Sequence, residues 1–192
     1  MAMKETRTSL TDPRAVEALT HELRLKLLEQ LMAEGPATAS QCARAVGDTP
    51  SNCSYHLRVL AKYGWVAPDE SDDGRERPWR ALITGFSVGP TPYDPDGPLS
   101  RAAAQFADLS TRIEELELRQ AIARFPQTPP AWREASLQNA YTLRLTAPEL
   151  VELTSQLDAL IRPYLSATRE DAPADAEQVR LGFHAFLRGP RP

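Results

Sequence analysis

The chain has 192 residues, of which 42% are hydrophobic and 25% charged, and its formal net charge is −4. This composition is ordinary for a globular protein with one large or two small domains. No apolar stretch approaches the roughly 18 residues that a membrane span needs, and the amino terminus lacks the apolar region of a signal peptide. We therefore expect a cytoplasmic protein with no membrane partner.

The first predicted helix follows a strong start signal. The carboxylate of Asp12 can cap a helix, and Pro13 suits the first helical position. Apolar residues then recur at helical spacing as far as Gly35. This pattern predicts a helical segment over residues 13–34, broken near Thr20.

Residues 38–60 predict two short helices joined by a tight turn. Apolar residues mark the inner side of each helix: Ala39, Cys42, Ala43 and Val46 in the first, and Cys53, Leu57 and Leu60 in the second. The segment 47–50, Gly-Asp-Thr-Pro, is typical of a turn. Such a pair of helices is typical of a helix-turn-helix that reads DNA. Both cysteines are predicted to be core residues rather than disulfide partners.

The second helix of this pair is predicted to turn polar and basic side chains outward. Ser51, Asn52 and Tyr55 are candidates for contacts with base edges. Arg58 and Lys62 are candidates for contacts with phosphates. For Ser51 an alternative stays open, namely that it only caps the helix.

A β-hairpin, or wing, is predicted after this helix. Gly64 ends the helix, and segments 65–67 and 79–82 predict two strands around a polar turn. Arg75 and Arg77 near that turn are candidates for contacts with phosphate or the minor groove. Because the turn also carries several carboxylates, a solvated loop is the alternative.

Residues 54–60 resemble the S-x-H-L-x-x-L recognition helix of the ArsR-type winged-helix regulators. Upstream, residues 21–28 resemble the H-P-L-R-x-x-L-L run of that family, with Glu22 in place of the proline. Downstream, residues 62–66 resemble its K-x-G-L-V helix end. Together these motifs cover residues 13–83 and are more specific in combination than any one of them alone.

The resemblance implies a winged-helix DNA-binding domain and adds Ser54 and His56 to the candidate DNA contacts. For His56 the alternative is a hydrogen bond within the domain. Many members of that family sense metal ions through a C-x-C pair at the start of the first helix of the motif. Thr38 and Ser40 occupy the matching positions here, so we predict no metal site and no cofactor.

Residues 85–99 are dense in proline and glycine and predict a linker between two domains. We place a winged helix-turn-helix domain at 1–84 and a dimerisation domain at 100–192. A helix capped by Ser100 is predicted to run to Arg124. Four of its apolar residues are spaced by three or four and predict dimerisation, with packing inside their own domain as the alternative: Phe106, Leu109, Ile113 and Leu116.

The rest of the chain predicts a strand, a helix and a second strand. Apolar residues alternate over 137–145 and again over 179–187, and Thr146 can cap the helix between these segments. The overall prediction is an α+β fold, mainly α. Four aromatic residues are candidates for binding a small organic effector, with an ordinary core as the alternative: Trp132, Tyr141, Tyr164 and Phe183.

These patterns predict a sequence-specific transcriptional regulator that binds double-stranded DNA. We expect a homodimer on an inverted-repeat operator, with repression as its mode of action. The chain has no Gly-rich phosphate loop, H-E-x-x-H or G-x-S-x-G motif, so we predict no catalytic residues and no enzyme. The alternative is a winged-helix protein-interaction module without direct DNA binding.

Overall fold

The computed structural model of the protein describes residues 7–9, 12–69, 77–87, 94 and 96–189 and is mainly helical. The helices are α1 (Pro13–Ala18), α2 (Glu22–Glu34), α3 (Ala39–Val46), α4 (Pro50–Lys62), α5 (Pro98–Arg124), α6 (Pro130–Ala135) and α7 (Ala147–Ile161). The strands are β1 (Arg7–Ser9), β2 (Val66–Pro68), β3 (Trp79–Ala81) and β4 (Gly85–Ser87). These strands form two sheets of two strands each.

The helix boundaries at the amino-terminal end follow the local capping signals. Asp12 caps α1 by accepting a hydrogen bond from the backbone N–H of Arg14, 2.9 Å away. The helix is interrupted between Ala18 and Glu22, which confirms the predicted interruption. The imidazole Nδ1 of His21 caps α2.

The helix-turn-helix is built from α3, α4 and the turn between them. Thr38 caps α3 in a capping box. Gly47 ends this helix with a φ of 72°, a left-handed conformation that glycine adopts without a steric penalty. Thr49 then caps α4, so the cap is Thr49 and not Ser51. Ser51 therefore lies within the helix as an exposed residue.

The wing begins as predicted, with an antiparallel pair of strands. Val66 lies opposite Ala81 in β2 and β3. Trp79 also bridges to Ala37, which precedes α3, through backbone hydrogen bonds of 2.8 and 2.9 Å. The indole N–H of Trp65 donates to the carbonyl of Ala15. These bonds hold the base of the wing against the helices. A second pair, parallel β1 and β4, was not predicted from the sequence.

One hydrophobic cluster runs through the helix-turn-helix and continues beyond the predicted linker. Ala102, Phe106 and Ile113 of α5 belong to the same cluster as the buried residues of α1 to α4. The domain boundaries therefore stay a prediction, since the core does not stop at residue 84. The cap of α5 is Gly97 rather than Ser100.

The region after α5 differs from the prediction in two respects, of which the first is that helix α6 was not predicted. Helix α7 is present, and Thr146 and Glu149 form its capping box. The two predicted strands that flank it are absent from the single chain: residues 137–145 and 179–187 are assigned to no strand. A strand needs a neighbour to satisfy its N–H and C=O groups, and neither segment has one among the described residues.

Candidate DNA-binding surface

The exposed side of α4 carries a row of polar and basic side chains. Ser51, Tyr55, Arg58 and Lys62 are all exposed. At 100° per residue these positions lie within roughly 60° of the helix circumference and span about 17 Å of its length. The row therefore has the length and width that fit a recognition helix in a major groove.

The amino-terminal end of α4 is ordered by its own polar groups. The side-chain amide of Asn52 donates to both carboxylate oxygens of Asp48, at 3.1 and 3.2 Å. The backbone N–H of Thr49 donates to the same carboxylate at 2.6 Å. These bonds lower the pKa of Asp48, the backbone bond more than the amide. Asn52 is exposed but hydrogen-bonded to Asp48. Ser54 is half-buried.

His56 lies on the inner side of α4 and not on its outer face. Only 8% of this residue is exposed. Its ring packs against His21 at a centroid distance of 4.4 Å and against Tyr55 at 5.0 Å. Burial, followed by the neighbouring charges of His21 and Arg24, lowers the pKa of His56. We therefore place His56 beneath the candidate DNA-binding surface, where it supports Tyr55.

The basic groups around this helix are available to a polyanion. Arg58, Lys62 and Arg77 are exposed and form no ion pair with any described residue. Arg75 lies outside the described residues. Arg44, at the last turn of α3, is exposed as well. Arg44 was not among the predicted contacts, although its place in the last turn of α3 puts it close in sequence to the turn that leads into α4.

Acidic charge near the wing is partly neutralised within the fold. Asp69, which follows β2, lies 3.6 Å from the guanidinium of Arg80. The remaining carboxylates of the predicted turn lie outside the described residues. Asp69 therefore does not present an uncompensated charge to the candidate surface.

The two cysteines are core residues, as predicted. Cys42 and Cys53 are buried and free. Burial raises the pKa of Cys42 to about 11 and also raises the pKa of Cys53. Both thiols are therefore protonated at neutral pH, and a protonated thiol is a poor metal ligand.

The predicted dimerisation residues are distributed between the core and the surface. Phe106 and Ile113 are buried in the core of their own chain, and Leu109 packs partly against it. Leu116 is 53% exposed. Within one chain, only the end of this row near Leu116 is free to meet another molecule.

The predicted effector residues do not converge on one site. Tyr141, Tyr164 and Phe183 are exposed, Trp132 is half-buried, and no two of these rings are in contact. A separate cleft of about 200 Å³ lies between α2 and the later chain. Its lining combines apolar and charged groups: Glu29, Met32, Ala33, Thr84, Leu165, Ser166, Ala167 and Arg180.

Comparison with known proteins supports the reading of the amino-terminal part. A helix-turn-helix domain family matches residues 19–66, which comprise α2 to α4 and the start of β2. The chain matches no curated protein. None of the helices in the described ranges is both long and apolar enough to cross a membrane. The helix-turn-helix domain indicates a DNA-binding regulator.

Proposed function

We propose that this protein is a sequence-specific transcriptional regulator of the ArsR type, with α4 as its recognition helix. The observation that carries the proposal is the exposed row on α4. Tyr55 offers an aromatic ring and a hydroxyl to base edges, and Arg58 and Lys62 offer cations to phosphates. Arg77, which precedes β3 of the wing, is a further exposed cation that we propose as a phosphate contact.

The proposal includes a homodimer that represses transcription from an inverted-repeat operator. Two α4 helices would enter successive major grooves about 34 Å apart, which matches one turn of the duplex. The net charge of −4 argues against nonspecific adhesion to DNA, so affinity has to come from the local basic surface. A small organic effector of this regulator stays a prediction.

The first test is selection of binding sites from random duplex DNA by the full chain. We expect enrichment of an inverted repeat, and the double variant Tyr55→Ala, Arg58→Ala should fail to enrich it. Loss of a base contact costs about 1–3 kcal/mol of discrimination. The outcome that contradicts the proposal is no sequence enrichment with only weak, salt-driven retention of DNA, which would favour a protein-interaction module.

Salt dependence provides a second, matched test. Arg58→Ala and Lys62→Ala should each reduce the slope of log affinity against log salt concentration by about one. Arg133→Ala removes an exposed arginine from α6, outside the candidate surface, and should leave the slope unchanged. Equal slopes in all three variants would exclude α4 as the DNA-binding surface.

A further inference from the structure

Two segments on either side of α7 have the pattern of β-strands without a partner. Residues 136–146 and 176–189 contain no helix, turn or bend, and the backbone is extended at Ser136 and Thr146, the two ends of the first segment. No backbone hydrogen bond joins residues 137–145 or 177–188 to any described residue. Both segments therefore present rows of unpaired N–H and C=O groups, which is the property of an edge strand.

Side chains on one of the two sides of the second segment, residues 176–189, contact the preceding helices. The side chain of Gln178 donates to the carbonyl of Ala33 and to Glu34 on α2. Arg180 lies 3.2 Å from a carboxylate oxygen of Glu29, on α2. These contacts fix the position of the segment along the helix.

Contacts with α5 extend this attachment. Arg180 also lies 3.5 Å from Glu114 and 3.6 Å from Glu117. The ring nitrogen Nε2 of His184 lies 2.8 Å from a carboxylate oxygen of Glu114. Gln178, Arg180 and His184 alternate along the chain, so they share one side of an extended segment.

The opposite side of the same segment is apolar and uncovered. Val179, Leu181 and Phe183 are 66, 57 and 55% exposed. In the first segment, Leu137, Tyr141 and Leu143 are exposed as well. In a folded chain the apolar side of a strand is normally buried and its polar side exposed. Here the polar side contacts the rest of the chain and the apolar side is exposed, which is the reverse.

The exposed area is of the size that a stable dimer buries. Nine large apolar side chains of the two segments together present on the order of 1,000 Å²: Leu137, Tyr141, Leu143, Leu145, Val179, Leu181, Phe183, Phe186 and Leu187. Specific interfaces bury about 800 Å² per partner. A second copy of this chain brings the same two unpaired segments, so a two-fold contact can pair segments of one copy with those of the other.

We propose that residues 137–145 and 178–187 form an intersubunit β-sheet with a second copy of this chain. This inference rests on the homodimer of the proposed function and specifies its interface. In the sheet the free backbone groups would pair, and Leu181 and Phe183 would contact cross-strand apolar side chains on the same face of the partner's strands. The polar contacts of Arg180 and His184 would remain within each chain and hold the strand in register.

The test combines mass with hydrogen exchange on the full chain. At micromolar concentration the mass should be twice the monomer mass of 21.3 kDa. Amides of 137–145 and 178–187 should be protected in the dimer and exchange rapidly on dilution to the monomer. Leu181→Asp, Phe183→Asp should raise the dimer dissociation constant at least 100-fold, because two buried apolar contacts are replaced by charges.

The matched control is Leu181→Val, Phe183→Tyr, which keeps an apolar, strand-forming pattern and should keep the dimer. Since both side chains are exposed in one chain, the charged variant should retain its helix content by circular dichroism. A dimer whose segments exchange as fast as free peptide would overturn this interface but leave the homodimer intact. A protein that stays monomeric would overturn both, and the DNA selection would then test the regulator separately.

Discussion

The part of the chain up to Ile113 and the part after it differ in how far their hydrophobic residues are exposed to solvent. Every buried hydrophobic residue among the described ones lies between Val16 and Ile113. Among the residues whose exposure is described, every large exposed hydrophobic residue except Tyr55 lies between Leu116 and Leu187. Apolar residues thus occur in both regions, but only the first region buries them within one chain.

This difference shows that an apolar pattern does not by itself specify where the covering surface comes from. In the first region, α1 to α5 cover one another's apolar sides. In the second region, the described residues provide no such layer. Burial of apolar surface is the main favourable term in folding and in association alike, which is why we propose a second copy of the chain as the cover of this region.

The largest expected effect separates the two regions by stability. Leu57 is fully buried, and Leu57→Ala should lower the free energy of unfolding by about 2–5 kcal/mol because it leaves a cavity. Leu187, which is 95% exposed, serves as the control. Leu187→Ala should change the free energy of unfolding by less than about 0.5 kcal/mol. Denaturant unfolding at a concentration where the protein is monomeric measures both. Equal losses would contradict the difference in burial.

The two regions also differ in how much of their structure could be predicted from the sequence. The break at Thr20, the turn at Gly47 and the antiparallel wing were predictable because capping residues and glycine act locally. The row on α4 was predictable from helical spacing alone. The burial of His56 was not, because the family signature shows the position of His56 along the helix but does not reveal that His21 packs against it.

The later region was less predictable because its partners are distant or outside the chain. Alternation over 179–187 predicted a strand, which is absent, although Arg180 and His184 do contact the preceding helices. It does not show that Arg180 binds Glu29, 151 residues earlier in the sequence. Nor does it show that Phe106 packs against the first helices rather than against a second molecule. Local patterns therefore predicted the helices α5 and α7 of this region, but the two strands predicted beside α7 are absent and the neighbours of the helices were not predictable.

An intermediate effect is expected where the two regions meet, at Arg180. Burial raises the pKa of Glu29, and the attraction of Arg180 opposes this only in part. Burial would lower the pKa of Arg180, but the charges of Glu29 and Glu117 outweigh it and the pKa is raised. Arg180→Gln should therefore lower the free energy of unfolding by about 1 kcal/mol at neutral pH, because Glu29 loses its cation.

The pH dependence of this loss distinguishes it from a packing effect. Because the pKa of Glu29 is raised in the folded state, the folded chain binds its proton more tightly than the unfolded chain does. The resulting contribution to stability is complete below the ordinary pKa of 4.5 and is lost as pH rises through the folded value. The loss in Arg180→Gln should therefore disappear in acid, where Glu29 is protonated. The control is Arg119→Gln, whose partner Glu115 is exposed on the same helix; it should change the free energy by less than about 0.5 kcal/mol. A pH-independent loss would exclude Glu29 as the cause.

The smallest effect concerns the one buried histidine of the first region. Because burial lowers the pKa of His56, the unfolded chain binds a proton at a pH where the folded chain does not. The stability that depends on this group is present above its ordinary pKa of 6.5 and is lost as pH falls through the folded value. His56→Gln should reduce this acid loss, by less than about 1 kcal/mol.

His184 is the matched control for that experiment, since it is exposed and bound to Glu114. His184→Gln should keep the acid loss that depends on His56, as measured by thermal unfolding between pH 5 and 8. DNA affinity should follow the same profile, because a protonated His56 would disturb the packing beneath Tyr55. If His184→Gln flattened the profile and His56→Gln did not, the pH sensitivity would belong to the later region and not to the recognition helix.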